Sequence, residues 1–464
     1  MKRLLVLPAA LLCGCVMGPN YHRPQVPVPA AFRNAPPPGA GASASLAESK
    51  WQTLFSDDTV NQLVSKALAN NFDLRIAAER VQEARAQLGI TRANQYPFLD
   101  AQAGFTGSRS STVGSFPVAP GTKLSYAYTT LGAALSWEVD LWGRLRRQTE
   151  AARAAYLASE EGRHAVEVSL VADVIENYFQ LLEQDSELDI SRNTEAIARD
   201  SRRLVELRHE RGAASALDVR QADQLIYTAT ARIAAAQRSI AQTEDQLSLL
   251  QGDVPGAQAR GRKLEDIPVP LQVTPGLPSA LLERRPDIRQ AEQNLVAANA
   301  EIGAARALYF PQISLTAFAG GQSRYLLDIA TAPARVYTAA PSAVQAIFHA
   351  GQLRNQVRVT EAQQREMLIA YQRAVYTALR EVSDALVGFD RLREERAQQE
   401  QLVTTLEDTV RLSDLRYRGG LDSYLQVLDA QRNLFSGQLT LAQLRLEERI
   451  ALVQIYRALG GGWS

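Results

Sequence analysis

Residues 219–250 read VRQADQLIYTATARIAAAQRSIAQTEDQLSLL, with no proline and no glycine. Val219, Ala222, Ile226, Ala229, Ile233, Ala236, Ile240, Thr243, Leu247 and Leu250 follow one another in alternating steps of three and four. This is the heptad seam of a helix turned toward a partner helix. Alanine at several seam positions lets the partner approach closely. Upstream, residues 141–207 also lack proline, and their only glycines are Gly143 and Gly162. About 67 residues at 1.5 Å each reach roughly 100 Å, a length typical of coiled coils and rare in globular helices. Between the two runs, residues 208–217 contain Gly212, which permits a tight reversal. The segment is therefore expected to be a long helical hairpin.

The hairpin occurs twice. Asp73-Leu74-Arg75 returns as Asp287-Ile288-Arg289, about 214 residues on, and at that shift Gly89 matches Gly303 and Tyr96-Pro97 matches Phe310-Pro311. Later the shift becomes about 208, so that Gly143 matches Gly351, Arg208 matches Arg416, Gly212 matches Gly420 and Val219 matches Val427. A small change of shift across a long repeat means a domain duplication with one loop-length difference. The second hairpin is expected over about 351–416 and 424–459, with Glu448 interrupting its apolar pattern.

Before each hairpin the period changes to two. Leu99, Ala101, Ala103 and Phe105 alternate with polar residues, as do Leu131, Ala133, Leu135, Trp137 and Val139. Ile313, Leu315, Ala317 and Ala319 repeat the pattern. Such alternation marks strands with one apolar face, including those of transmembrane barrels. Two pairs are expected, at about 99–139 and 312–348, with Pro341 weakening the fourth strand. A helix over 74–94, closed by Tyr96-Pro97, precedes the first pair.

Lys2-Arg3 and the apolar residues 4–12 form a secretory signal, too short to span as a stop-transfer helix. Its end, Leu12-Cys13-Gly14-Cys15, resembles a bacterial lipobox, which implies cleavage before Cys15 and acyl chains on that residue. Val16 next to it is similar to outer-membrane sorting signals. Gly18-Pro19-Asn20-Tyr21-His22-Arg23-Pro24 and the Pro/Ala/Gly-rich stretch beyond are expected to run extended over the body.

The remaining composition excludes several classes. Fifty basic residues balance fifty acidic ones, so no basic excess points to nucleic acid. The two cysteines, Cys13 and Cys15, supply no disulfide framework to the folded body. No later run reaches about 18 apolar residues, so a membrane-spanning part must be closed β-structure. His22, His164, His209 and His349 are scattered without ligand spacing, no phosphate-cradling loop occurs, and neither a metal, a cofactor nor an enzymatic site is expected.

Together the lipobox, the 18–24 motif, Arg284-Arg285-Pro286-Asp287-Ile288-Arg289 and Arg416-Tyr417-Arg418-Gly419-Gly420 leading to Asp429-Ala430-Gln431-Arg432 resemble the TolC-like outer-membrane factors, in their NodT-type lipoprotein branch. The resemblance implies a mainly α fold with transmembrane β: four strands and four main helices per protomer, two of them very long. It implies a homotrimer closing a twelve-stranded barrel. The chain then divides into a signal peptide (1–14), a lipid-anchored extended segment (15–50), a first repeat (51–251), an equatorial linker (252–278) and a second repeat (279–464). The function implied is passive efflux of drugs or other small molecules, with a periplasmic adaptor and a resistance–nodulation–division pump as partners.

By the same resemblance Arg416, Leu425 and Asp429 stand at a gate, and the tip glycines Gly212, Gly419 and Gly420 meet the adaptor. Spacing alone would make Arg416 and Asp429 solvated helix charges. Asp218 aligns with Gln426, and Asp429 with Gln221, so no matching gate carboxylate is expected in the first repeat. Tyr126, Tyr128, Trp137, Trp142, Phe310 and Phe318 are candidates for an interfacial girdle, with Trp142 better placed at the strand–helix junction. Two other readings stay open: a lipid-anchored adaptor, which would show one hairpin between β-rich domains, and the outer channel of a type I secretion system.

Overall fold

A computed structural model of the chain describes residues 16–33, 52, 57–113, 119, 121–269, 273 and 275–461. The signal segment and Cys15 lie outside the described residues, as do 34–50 of the extended segment. Two compact units are present. The first comprises Met1–Pro24, Val81–Ser159 and Ala291–Tyr371; the second comprises Gln25–Arg80, Glu160–Gln290 and Gln372–Ser464.

The main elements are α1 (Asp58–Asn70), α2 (Phe72–Ala93), β1 (Phe98–Arg109), β2 (Ser125–Val139), α3 (Arg144–Glu210), α4 (Ala216–Leu250), α5 (Leu281–Arg284), α6 (Pro286–Ala307), β3 (Gln312–Ser323), β4 (Arg335–Val344), α7 (Gln352–Arg418) and α8 (Tyr424–Ala458). The duplication is metrical: α2 and α6 each hold 22 residues, α3 and α7 each 67, and α4 and α8 each 35.

In the first unit the strands form one antiparallel sheet of order β1-β2-β3-β4. Its register aligns the alternation seen in the sequence. One face carries the rows Leu99–Leu135–Ala317–Ala339 and Ala101–Ala133–Ala319–Tyr337. The other carries Gln102–Gly132–Gly320–Val336 and Phe98–Ser136–Thr316–Ala340, and there Ser314 and Ser342 share a 2.8 Å hydroxyl hydrogen bond. Gly132 and Gly320 are opposite each other, and a Cβ on Gly132 would stand 2.5 Å from the Ala319 carbonyl. Both β1 and β4 are sheet edges.

The strand ends differ from the expected ones for a local reason. β4 stops at Val344 and not near 348, because Val344 pairs with Gln312, the first residue of β3. Pro311 precedes it and has no N–H to extend the ladder. Pro341 is accommodated because β4 is an edge strand. Helix α3 starts at Arg144 and not at 141: Gly143 takes a φ of 76°, and the Asp140 carboxylate accepts the Arg146 N–H at 2.9 Å. Helix α2 starts at Phe72, two residues before the expected start, since the Asn71 side chain accepts the Leu74 N–H at 2.9 Å. Trp142 stacks on Phe310 with centroids 4.8 Å apart and donates to the Pro311 carbonyl at 2.8 Å, so it packs at the strand–helix junction.

In the second unit the seam of α4 buries Ala222, Ile226, Ala229, Ala236 and Leu247. The break in the second hairpin's pattern also has a cause. Glu448 is buried and takes Arg396 of α7 at 2.8 Å, with Arg449 at 4.0 Å. Arg449 donates to the carbonyls of Arg445 at 2.8 Å and Ile267 at 3.1 Å, and burial pulls its guanidinium down to about 10. The acid is thus the counter-charge for arginines gathered from two helices. Removing one partner of a buried pair strands the other, at a cost of about 3–5 kcal/mol. Glu448→Ala should therefore lower the thermal unfolding midpoint clearly, followed by circular dichroism, while Glu447→Ala, at a half-buried position whose carboxylate accepts from Gln443, should lower it far less.

Candidate channel gate

The two helical turns, 211–215 and 419–423, are built on the same framework. Gly212 and Gly420 both have a φ of 74°, a left-handed conformation that L side chains adopt at a cost. The Ala213 N–H donates to the Arg208 carbonyl at 2.7 Å, and the Leu421 N–H to the Arg416 carbonyl at 2.9 Å. Beyond the turn the two diverge. Ser215 caps α4 in a reciprocal box with Asp218, whose carboxylate accepts the Ser215 N–H at 2.8 Å. Ser423 caps α8 with no side-chain bond, since Gln426 stands where Asp218 stands in the first turn. Asp218 is thereby a capping residue.

Arg416 does not reach the first hairpin. It forms a two-pronged pair with Asp422 of its own turn, Nε to Oδ2 at 2.5 Å and Nη2 to Oδ1 at 3.2 Å. The guanidinium holds the Asp422 carboxyl below the usual aspartate range. The residue that crosses between hairpins is Arg208, its counterpart. Arg208 donates to the carbonyls of Tyr417 and Arg418, each at 3.0 Å, and its guanidinium lies 4.3 Å above the Tyr417 ring. The position equivalent to Asp422 is Ala214 in the first turn, so Arg208 finds no carboxylate at home. Gln431 adds a second crossing, donating to the Ser201 hydroxyl at 3.0 Å.

An apolar cluster lies under these links. Val205, Ala222, Leu225, Tyr417, Tyr424, Val427, Leu428 and Phe435 are buried together, and Tyr417 meets Tyr424 edge-on at 5.5 Å. Burial pushes the Tyr424 hydroxyl up to about 12. The opposite face of α8 is bare. Leu425 is 50% exposed and Asp429, one turn on, is exposed, its carboxylate accepting from the Asn433 amide at 3.2 Å. No hydrogen bond or ion pair found among the described residues joins Arg416 to Asp429. Sequence reasoning named Arg416, Leu425 and Asp429 but gave Arg208 no role of its own. The duplication did contain that signal: of the equivalent arginines, only Arg416 has an acid six residues on, Asp422 where the first turn has Ala214.

A duplicated pair of long helical hairpins, joined in sequence to an open-edged sheet with one apolar face, defines an outer-membrane channel of the TolC-like class. The description Outer membrane efflux protein fits residues 63–253 and 277–461. TtgC of Pseudomonas putida, a probable efflux pump outer membrane protein, is 37% identical over 99% of this chain and 95% of its own. SilC of Salmonella typhimurium, a probable outer membrane lipoprotein, is 34% identical over 100% of this chain and 99% of its own. The open state of the Neisseria gonorrhoeae MtrE outer membrane channel matches with a TM-score of 0.86 at 30% identity, covering 97% of this chain and 98% of that one. The chain belongs to the outer membrane efflux protein family. It is a channel component of the outer membrane, and these matches disfavour both the adaptor and the type I secretion readings.

Two expectations follow for the turns. Arg208→Ala removes the crossing bonds and the ring contact, worth together roughly 2 kcal/mol. Amide exchange in 416–424 should accelerate by at least ten-fold, whereas Arg220→Ala on the exposed side of α4 should not change it. The Arg416–Asp422 pair contributes fully above the usual aspartate range. Because the folded carboxyl is depressed, that contribution is lost only as pH falls through the lowered value. Asp422→Asn should abolish the extra acid sensitivity of the 419–423 turn, read by exchange across a pH series.

Proposed function

We propose that three copies of this chain close a twelve-stranded barrel and conduct drugs or other small molecules outward, gated at the helical turns. The observation that carries this reading is the open four-stranded sheet. β1 and β4 leave a row of backbone groups at each edge. In hydrocarbon every such group needs a partner, so a membrane sheet has to close. Four strands are too few to do so alone, and threefold repetition supplies a closed ring.

The gate assignment rests on the bare face of α8. Leu425 and Asp429 are exposed beside turns otherwise tied down by Arg208 and the buried tyrosines. Around a threefold axis Leu425 becomes an apolar ring and Asp429 a ring of carboxylates, a recurring way to build a cation-selective narrowing. Arg416, locked to Asp422, keeps the turn that carries them in one shape. Gly212, Gly419 and Gly420 hold the turns narrow enough to meet a periplasmic adaptor, through which an inner-membrane resistance–nodulation–division pump delivers the cargo. Acyl chains on Cys15 anchor the assembly, each contributing about 0.8 kcal/mol per buried methylene. No catalytic step and no cofactor enter this function.

Single-channel recording of the purified protein in a planar bilayer tests the reading against a paired Arg416→Ala and Asp429→Ala variant. Small currents in the wild type that become several-fold larger in the variant are expected. Equal currents in the two would remove these residues from the gate. No current from either, with trimers present in the bilayer, would overturn the conduit.

A further inference from the structure

The carbonyls that accept Arg208 belong to Tyr417 and Arg418, and both residues also line a cavity of about 320 Å³ in the second unit. That volume is at the small end of ligand pockets, which span about 300–1,000 Å³. Ile197 and Leu204 of α3 form apolar wall on one side, and Val410 of α7 and Val427 of α8 form it on the other. The cavity is therefore built by both hairpins.

Two neutral polar atoms of this lining have no hydrogen-bond partner among the described residues, the Tyr417 hydroxyl and Gln431 Oε1. Both residues are deeply buried, Tyr417 at 6% exposure and Gln431 at 8%. Gln431 Nε2 is engaged, donating to the Ser201 hydroxyl at 3.0 Å, so the carbonyl oxygen is the open half of the amide. Burial of such atoms costs their hydration, and most buried polar atoms in proteins are paired for that reason. The charged side chains of the lining are already matched. Arg418 holds Asp414 at 2.7 Å, Arg411 stands 3.2 Å from Asp408, and Asp200 stands 3.8 Å from Arg203.

The internal repeat shows that the fold does not need this opening. At the shift of 208, Gln431 matches Asp223, Val410 matches Arg202 and Tyr417 matches His209. In the first hairpin the Asp223 carboxylate accepts Arg202 Nε at 2.7 Å, and His209 Nδ1 meets the Ala214 carbonyl at 2.9 Å. Those polar groups are satisfied within their own hairpin. In the second hairpin valine stands where the arginine would be, and glutamine and tyrosine each keep a polar atom open toward the cavity. The same framework thus exists in a self-paired version and in one that offers hydrogen bonds to something else.

We propose that this cavity binds a small uncharged molecule with an apolar, ring-sized body and a hydroxyl group, and that the bound molecule braces the first hairpin against the second. About 150 Å³ suffices for a benzene ring in an apolar cavity, so a substituted ring fits here. A hydroxyl both donates and accepts, and so can serve Gln431 Oε1 and the Tyr417 hydroxyl, which a purely apolar molecule cannot. Its body meets Ile197 and Leu204 on one hairpin and Val410 and Val427 on the other. Binding does not depend on the channel reading; only a consequence for conduction rests on the gate proposed above.

The test titrates the purified full-length protein with para-(trifluoromethyl)phenol, followed by fluorine NMR, and in parallel with trifluoromethylbenzene, which lacks the hydroxyl. Tyr417→Phe and Ile197→Trp are measured in the same detergent, so that uptake by micelles is common to all three proteins. Ile197 is 51% exposed, and tryptophan there narrows the cavity at little cost to folding. The phenol should bind wild type saturably, bind Tyr417→Phe about ten-fold more weakly, and not bind Ile197→Trp measurably. Trifluoromethylbenzene should not distinguish wild type from Tyr417→Phe. Because Tyr417→Phe deletes a hydroxyl without a protein partner, it should not lower the thermal unfolding midpoint. At saturation, amide exchange over 410–418 should slow several-fold in wild type. Phenol binding that is equal in wild type and Tyr417→Phe, or uptake that neither variant alters, overturns the site. A midpoint that falls in Tyr417→Phe assigns the hydroxyl to the fold and overturns its role toward a ligand. Saturable, variant-sensitive binding with unchanged exchange overturns the brace.

Discussion

A backbone amide in hydrocarbon has no water to fall back on, and this constraint orders everything else in the chain. It explains why the membrane part is a sheet of alternating faces, with Leu99, Leu135 and Ala317 in one row and Ser136 and Thr316 in another. It makes the outward edges of β1 and β4 the features that demand further copies. It also bears on the duplication, since each repeat supplies two of the four strands and neither pair could close alone. Equal helix lengths in the two halves keep the repeats superposable, a requirement for strands that must continue one ring.

The two helical turns show how a duplicated framework acquires asymmetric function. Backbone geometry is shared down to the 74° φ of Gly212 and Gly420. The difference that redirects the arginines is Ala214 against Asp422. With an acid at home, Arg416 stiffens its own turn; without one, Arg208 reaches across to Tyr417 and Arg418. Charge-assisted bonds to carbonyls are satisfied wherever the donor can reach, so loss of a local partner becomes a link between hairpins. That link lies over the Tyr417–Tyr424 cluster, so packing and hydrogen bonding hold the same pair of turns.

The N-terminal segment follows the same logic on the first unit. Its proline- and glycine-bearing sequence makes no regular structure, and its order comes from groups on α3 and α6. Glycine at 18 and 303 allows backbone to lie on backbone, and Arg147 satisfies carbonyls that an extended chain would otherwise turn to water. Buried charge recurs at Glu448, where a residue that breaks the apolar pattern turns out to neutralise arginines from two helices.

The sequence by itself determined the periods. Heptad steps between Val219 and Leu250, alternation around Leu131 and Ile313, and the repeat shifts specified helices, strands and duplication, because periodicity reports which face of an element is buried. Local stops were less legible: β4 ended at Val344 and α3 began at Arg144 through pairing and capping partners that lie elsewhere in the chain or in its turns. Leu425 and Asp429 were named through a motif, and tertiary structure added that they share an exposed face. Only tertiary structure decided the partners of Arg208, Arg416, Glu448 and Glu292. An arginine or glutamate is drawn to any compatible group within reach, and reach is set by packing between residues far apart in sequence.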